Sequence, residues 1–152
     1  MLGDRFLVLQ TGSTLEFSIP NPHGSGGLLF YDRSPYDPTE PINSYWVRIT
    51  DHNFSVACKV DAGYPSHPAK LFADMALQWS GWPGELAWQN FEGELALSCR
   101  HDKFGHIAIR VKLLSGWKED AWRVEATTMA EAGQLDAIAL RAAAFFGKEA
   151  SG

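Results

Sequence analysis

The residue types best suited to acid–base chemistry lie in one short stretch of the chain. His101 and Asp102 are adjacent, and His106 follows a few residues later. Histidine changes its charge near neutral pH, and a nearby carboxylate can orient its ring, so the group could transfer protons in an enzyme. The same stretch is also typical of a surface hairpin tip that carries two ordinary histidines. We favour that simpler interpretation and keep the enzyme as the weakest hypothesis.

Other patterns that could carry chemistry are incomplete. Gly24-Ser25-Gly26-Gly27 has a serine among glycines, but it lacks both the Gly-x-Ser-x-Gly order of a nucleophile elbow and the Gly-Lys-Ser/Thr of a phosphate loop. Cys58 and Cys99 each stand alone, whereas zinc sites need clustered Cys and His. The sequence therefore predicts no catalytic residue, no metal site and no cofactor. Both cysteines fall on the apolar phase of predicted strands, so we expect buried free thiols.

Three tryptophans surround the end of the first predicted helix. Trp79, Trp82 and Trp88 are interspersed with Gly81 and Gly84. Aromatic rings beside glycines can form a groove for a small ligand, but more often they fix a helix end against a sheet edge. We favour the structural interpretation and keep the groove as an alternative.

Trp46 differs from these tryptophans because its parity is opposite to that of the core-facing Val47 and Ile49. It should point to the polar face of the sheet, or lie under the proline-rich segment 20–43. Tryptophan and arginine are enriched at binding hot spots, so an interaction surface is expected on that face. By parity, its residues are Trp46, Arg48, Arg110 and Glu125.

Alternating apolar residues predict strands, and two amphipathic stretches predict helices. The predicted strands are 6–10, 14–19, 45–50, 54–60, 94–100, 106–113 and 121–127. The segment 20–43 is expected to be mostly loop, interrupted by a short apolar piece at 28–31. The first helix is predicted over 68–79. The second begins at a capping box, Thr128 to Glu131, and ends at Gly147. These elements predict an α+β fold, a mainly antiparallel sheet of six or seven strands with both helices packed on one face.

Opposite charges suggest a register for the last three predicted strands. The predicted pairs are Arg100 with His106, Glu94 with Lys112, Val111 with Val124, and Arg110 with Glu125.

Length and charge limit the function classes. The chain of 152 residues predicts a single domain over 1–147, with a disordered tail at 148–152. No apolar run is long enough to cross a membrane, and no export signal begins the chain, so we expect a cytoplasmic protein. The net charge of −5 argues against direct nucleic-acid binding and is compatible with a basic partner.

Several motifs together resemble an uncharacterised family of small bacterial proteins known as a domain of unknown function. They are Gly81-Trp82-Pro83-Gly84, Gly105-His106-Ile107 and Gly133-Gln134-Leu135, within a resemblance that covers about residues 45–147. That family is in turn distantly similar to immunity proteins encoded beside wall-associated contact-dependent toxins. The resemblance implies no catalytic residues.

Three hypotheses follow from the sequence. The first is a non-catalytic interaction protein that binds a basic toxin or another macromolecule, and an immunity-like inhibitor is its narrower form. The second is a small-ligand-binding domain that uses the groove around Trp82 and Trp88. The third is an enzyme built on His101, Asp102 and His106.

Overall fold

The protein folds as two four-stranded antiparallel sheets and two helices. A computed structural model describes residues 15–22, 24, 26–62 and 67–147. The predicted strand 6–10 and the predicted tail 148–152 lie outside these residues. The α+β class is confirmed, but the prediction of one sheet with six or seven strands is wrong, because the strands divide equally between two sheets.

Each sheet is a simple meander in chain order. The first sheet contains β1 (Phe17–Pro20), β2 (Gly27–Ser34), β3 (Ser44–Asp51) and β4 (Phe54–Asp61). The second contains β5 (Glu85–Gln89), β6 (Leu95–His101), β7 (His106–Leu114) and β8 (Arg123–Glu131). Helix α1 (Ala69–Leu77) joins the two sheets, and α2 (Leu135–Phe146) follows a single 3-10 turn, Ala132–Gln134.

The two sheets and both helices share one hydrophobic core. The ring of Phe146 in α2 lies 5.3 Å from the rings of both Phe30 and Tyr45 in the first sheet. The buried inward residues of β6 and β7, among them Leu97 and Ile109, belong to the same cluster. The helices also contact each other. Neither sheet therefore has a core of its own.

Strand β2 lies within the segment 20–43 that was expected to be mostly loop, and it extends past the apolar piece 28–31 to Ser34. Gly26 and Gly27 both have positive φ angles, 88° and 139°. A Cβ atom on Gly26 would overlap the carbonyl of Thr50, and one on Gly27 would overlap that of Ile19. The two glycines therefore allow the chain to enter β2 in close contact with its neighbours, while the Gly26 carbonyl accepts a hydrogen bond from the Asn21 amide across the β1–β2 connection.

The predicted registers of the second sheet are wrong by two residues. β6 and β7 pair Arg100 with Ala108, and β7 and β8 pair Val111 with Ala126. Two residues is one full side-chain repeat of a strand, so every side chain keeps its predicted face. The predicted core residues of β6 and β7 are accordingly buried: Leu95, Leu97, Cys99, Ile107, Ile109, Val111 and Leu113.

The start of the second helix is also corrected. Thr128, predicted as its N-cap, lies buried in β8 at 6% exposure. The capping box forms three residues later, where Glu131 and Gln134 each bond the other's backbone amide. The predicted end at Gly147 is confirmed as the C-cap, with a φ angle of 68°.

Two tryptophans, one after α1 and one before β8, are exposed. Helix α1 ends at Leu77, so Trp79 falls beyond it and is 64% exposed. Trp122 precedes β8 and is 39% exposed. Cys58 and Cys99 are buried free thiols, as predicted. Burial raises the pKa of Cys58 to about 11 and that of Cys99 to about 12.

Candidate interaction site

The outer face of the second sheet comprises the side chains of β5–β8 that point away from the core. They form three rows across the four strands: Glu85–Arg100–Ala108–Met129, Ala87–Ser98–Arg110–Thr127 and Gln89–Ala96–Lys112–Glu125. All twelve are exposed or half-buried. Both described helices contribute their buried residues to the core, on the other side of this sheet.

Small side chains in the middle of this face leave a trough of about 300 Å³. Alanine and serine side chains extend only one or two atoms above the sheet, whereas the longer side chains of Gln89, Arg110 and Lys112 surround them. The outward-facing residues of the trough are Ala87, Gln89, Ala96, Ser98, Arg110 and Lys112.

Two carboxylates at the edges of the outer face are held by neighbouring side chains. Glu125 Oε2 lies 3.3 Å from Arg110 Nε, and Glu85 Oε2 lies 3.5 Å from Arg100 Nε. Glu85 also accepts a hydrogen bond from the Ser98 hydroxyl, and this bond, followed by the charge of Arg100, lowers the pKa of Glu85 below its usual range. Glu85 therefore stays ionised at neutral pH.

Trp117 does not line the trough, but its ring lies near Gln89, at one end of the trough. It is 72% exposed, and its Nε1 donates a hydrogen bond to Glu92 Oε2 at 3.2 Å. A Cβ atom on Gly93 would lie 3.7 Å from both the Trp117 ring and Gln89 Nε2, so the ring approaches the trough across Gly93. The sequence analysis did not select Trp117, because a lone tryptophan in a turn belongs to neither a strand nor a helix pattern.

A second pocket of about 410 Å³ lies at the other end of the sheet. It brings together two regions that were considered separately, Trp82 to Gly84 and the hairpin tip with His101, Asp102 and His106. Arg100 also lines it.

His101 has a structural role in this pocket. It lies at the end of β6 with 9% exposure, and not in the loop as expected. Its Nδ1 accepts a hydrogen bond from the Lys103 amide at 2.7 Å, and its Nε2 lies 2.8 Å from the Trp79 carbonyl. These two contacts occupy both ring nitrogens.

Asp102 and His106 form a contact pair, but the pair lacks a nucleophile. His106 Nδ1 lies 2.7 Å from Asp102 Oδ2. Desolvation raises the pKa of Asp102, but hydrogen bonds from the His106 and Phe104 amides and from the His106 ring outweigh it and lower the pKa to about 2. Among the described residues that line the pocket there is no serine, threonine or cysteine for His106 to activate. The aspartate chiefly closes the hairpin turn.

The three tryptophans around α1 do not form a common groove. Trp82 is 2% exposed, and its Nε1 donates a hydrogen bond to the Cys99 carbonyl at 3.0 Å. Trp88 is half-buried against the core from β5, a strand that the sequence analysis missed. With Trp79 exposed, only Trp82 borders the second pocket.

The predicted polar surface is divided between the two sheets. Trp46 and Arg48 lie on the outer face of the first sheet, whereas Arg110 and Glu125 lie on that of the second. Trp46 is half-buried, with its ring 6.4 Å from the Tyr31 ring. Arg48 donates hydrogen bonds to the hydroxyls of Tyr31 at 3.1 Å and Ser55 at 2.9 Å. Trp46 and Arg48 therefore belong to a surface separate from the trough.

Metal sites and membrane spans were sought in the described part of the chain. No group of three or more His, Cys, Asp or Glu side chains in it is arranged to hold a metal ion. None of its helices is long and apolar enough to cross a membrane.

Residues 20–149 match the model of the Family of unknown function (DUF6228). The chain belongs to this family. No curated protein and no solved structure matches the chain. The family membership confirms the resemblance to a domain of unknown function that the sequence motifs predicted.

The motifs that suggested the family have structural roles in this member. Trp82 is buried, Gly84 and Gly105 adopt positive φ angles of 64° and 96°, and Gln134 completes the capping box. They fix the hairpin ends and the start of α2, so they do not identify a functional site.

Proposed function

We propose that this chain is a non-catalytic protein-binding module whose partner docks on the outer face of the second sheet. The observation that carries the proposal is the trough of small side chains with the exposed Trp117 ring at its end. An uncovered concave surface beside an exposed aromatic ring is typical of interaction sites.

The arrangement of Trp117 supports this proposal. The hydrogen bond to Glu92 orients the indole ring before any partner arrives. A ring that is already ordered loses little conformational entropy on binding, so more of its contact energy contributes to affinity. Tryptophan and arginine are also the residues most enriched at hot spots, and Arg110 lines the same trough.

An immunity-like inhibitor of a toxin is the narrower form of the proposal. It is supported by the distant resemblance of the motifs and, for a basic toxin, by the net charge of −5. A small-ligand-binding function is the second candidate. It is favoured by the second pocket, where Arg100, Lys103 and His106 could bind an anionic group.

Two matched variants test the docking face. Ala96→Arg fills the trough from a half-buried outward position on β6. Ala57→Arg makes the same change at a half-buried outward position on β4, beside Arg48 on the outer face of the first sheet. Both should leave the core intact, which thermal unfolding will check.

Each protein is immobilised, exposed to an extract of the native host, and its bound proteins are quantified by mass spectrometry. We expect proteins that wild type and Ala57→Arg retain equally, and that Ala96→Arg retains at least about tenfold less, which corresponds to ~1.4 kcal/mol of binding. Loss with Ala57→Arg alone would move the site to the first sheet. Equal retention by all three proteins would contradict the proposal.

A further inference from the structure

We propose that the trough binds an acidic segment of the partner, with a carboxylate placed between Lys112 and Arg110. This inference rests on the proposed docking face and specifies the chemistry that the face recognises. It depends on the charges that line the trough, on how the nearby carboxylates are already engaged, and on the apolar surface beside the two cations.

The trough itself has an excess of positive charge. Two cationic side chains, Arg110 and Lys112, line it, and none of the described residues that line it carries a carboxylate. Within the described part of the chain, Lys112 Nζ makes no ion pair, and only Nε of the Arg110 guanidinium is paired. The terminal nitrogens of both side chains therefore remain able to donate hydrogen bonds to an arriving anion.

The nearest carboxylate does not neutralise both cations. Glu125 is the direct cross-strand neighbour of Lys112, yet its Oε2 lies against Arg110 Nε. Glu85, at the other edge of the sheet, is held by Ser98 and Arg100. Within the three rows of the outer face, the three cations Arg100, Arg110 and Lys112 outnumber the two carboxylates Glu85 and Glu125. Glu92, outside these rows, accepts a hydrogen bond from the neutral Trp117 indole. A carboxylate from a partner would pair with the remaining cation of the rows.

Apolar surface beside the cations distinguishes this site from a simple anion site. The methyl groups of Ala87 and Ala96 lie in the trough, and the Trp117 ring stands at its end. A free phosphate or sulfate would leave these surfaces in water. A peptide with an aromatic or aliphatic residue next to its acidic residue would bury them, and that burial is favourable.

The net charge of −5 does not oppose this contact. At physiological ionic strength the Debye length is about 8 Å, so distant carboxylates are largely screened from a group that lies within the trough. The overall charge influences the rate of encounter, whereas Lys112 and Arg110 act at contact distance.

The test uses a defined peptide pair. The acidic probe is the capped hexapeptide Gly-Phe-Glu-Asp-Phe-Gly, and the neutral probe replaces its two acidic residues by Gln and Asn. Each is titrated into ¹⁵N-labelled protein, and amide shifts are followed at Ala96, Ser98 and Lys112. We expect saturable shifts at these positions with the acidic probe, and binding at least about fivefold weaker with the neutral one.

Two lysine variants provide the matched comparison. Lys112→Gln should weaken binding of the acidic probe at least about fivefold, whereas Lys59→Gln should not change it. Lys59 is an exposed outward residue of β4 on the other sheet. Equal binding of the two probes, or equal affinity in Lys112→Gln and wild type, would overturn the inference. Stronger binding of a single-stranded oligonucleotide in the trough would also overturn it, in favour of a nucleic-acid partner.

The outcomes separate the inference from the proposed function. If Ala96→Arg loses the host partner but Lys112→Gln retains it with unchanged affinity, the docking face stands and the acidic segment is wrong. If Ala96→Arg loses nothing, the docking face itself is wrong.

Discussion

Arg33 is a buried cation whose partners are all backbone carbonyls. Its Nη1 donates to the carbonyls of Phe145 and Phe146, each at 2.8 Å, at the last turn of α2. The other guanidinium nitrogens bond the carbonyls of Pro35 at 2.8 Å and Glu40 at 2.7 Å. The last carbonyls of a helix have no partner within the helix, so one side chain satisfies both this end and the 35–40 turn.

Replacing Arg33 should therefore destabilise the fold strongly. Burial lowers the pKa of Arg33, and the nearby charges of Asp37 and Glu40 oppose this shift. The four carbonyls accept the hydrogen bonds that the buried guanidinium would otherwise make to water. In Arg33→Met the apolar stem remains, but four carbonyls lose their donor, and we expect a loss of at least about 2 kcal/mol of unfolding free energy.

The control for this variant is Arg141→Met, at an exposed position on the same helix. It should change stability by no more than about 0.5 kcal/mol. Urea unfolding followed by circular dichroism gives both values. Equal stability of the two variants would show that the Arg33 hydrogen bonds contribute nothing net.

At the scale of the elements, alternation predicted strands well and their ends poorly. Period two in β3, β6 and β7 identified which residues are buried, and a register error of two residues left that result intact. In β4 the same pattern holds for Cys58 and Val60, whereas Phe54 at the start of the strand is exposed. The end of β8 was missed because Thr128 and Glu131 have the spacing of a capping box. Tertiary pairing of β8 with β7 extends the strand past that local signal.

Variants at Thr128 and Glu131 distinguish the helix start that the sequence predicted, at Thr128, from the capping box observed at Glu131. Thr128 Oγ1 is buried and has no hydrogen-bond partner among the described residues, so Thr128→Val removes an unsatisfied hydroxyl and keeps the side-chain shape. Stability should stay unchanged or rise by up to about 1–2 kcal/mol. Glu131→Ala removes the actual cap and should cost about 0.5–2 kcal/mol.

Chemical denaturation midpoints of the two variants decide between these interpretations. A destabilised Thr128→Val beside an unaffected Glu131→Ala would restore the helix start that the sequence predicted.

At the scale of the whole molecule, the sequence could not reveal that there are two sheets. Strands of the same phase can lie in one sheet or in two, because alternation specifies a face and not a neighbour. The same limitation affected the prediction of the candidate site, because alternation does not show which sheet a residue belongs to. Arg110 and Glu125 were correctly placed outward and together, but Trp46 and Arg48 were joined to them across a division that only the strand pairing defines.

The shared core predicts that both sheets unfold together. Trp46 is the one tryptophan in the first sheet, and the other five lie between residues 79 and 122. Fluorescence of Trp46→Phe therefore reports on the second half of the chain, whereas far-ultraviolet circular dichroism reports on strands of both sheets. We expect the two denaturation curves to coincide, as in a two-state transition.

Phe146 is the residue through which this coupling is best tested. Its ring contacts Phe17, Phe30 and Tyr45 of the first sheet, while its helix α2 follows directly from the second. Adding Phe146→Ala to Trp46→Phe should remove about 3–5 kcal/mol, as truncation of a buried phenylalanine usually does. Because the core is continuous, the fluorescence and circular-dichroism midpoints should fall by the same amount. The opposite outcome is an unchanged fluorescence midpoint together with the loss of part of the circular-dichroism signal at lower denaturant concentration. It would mean that the second sheet folds without the first.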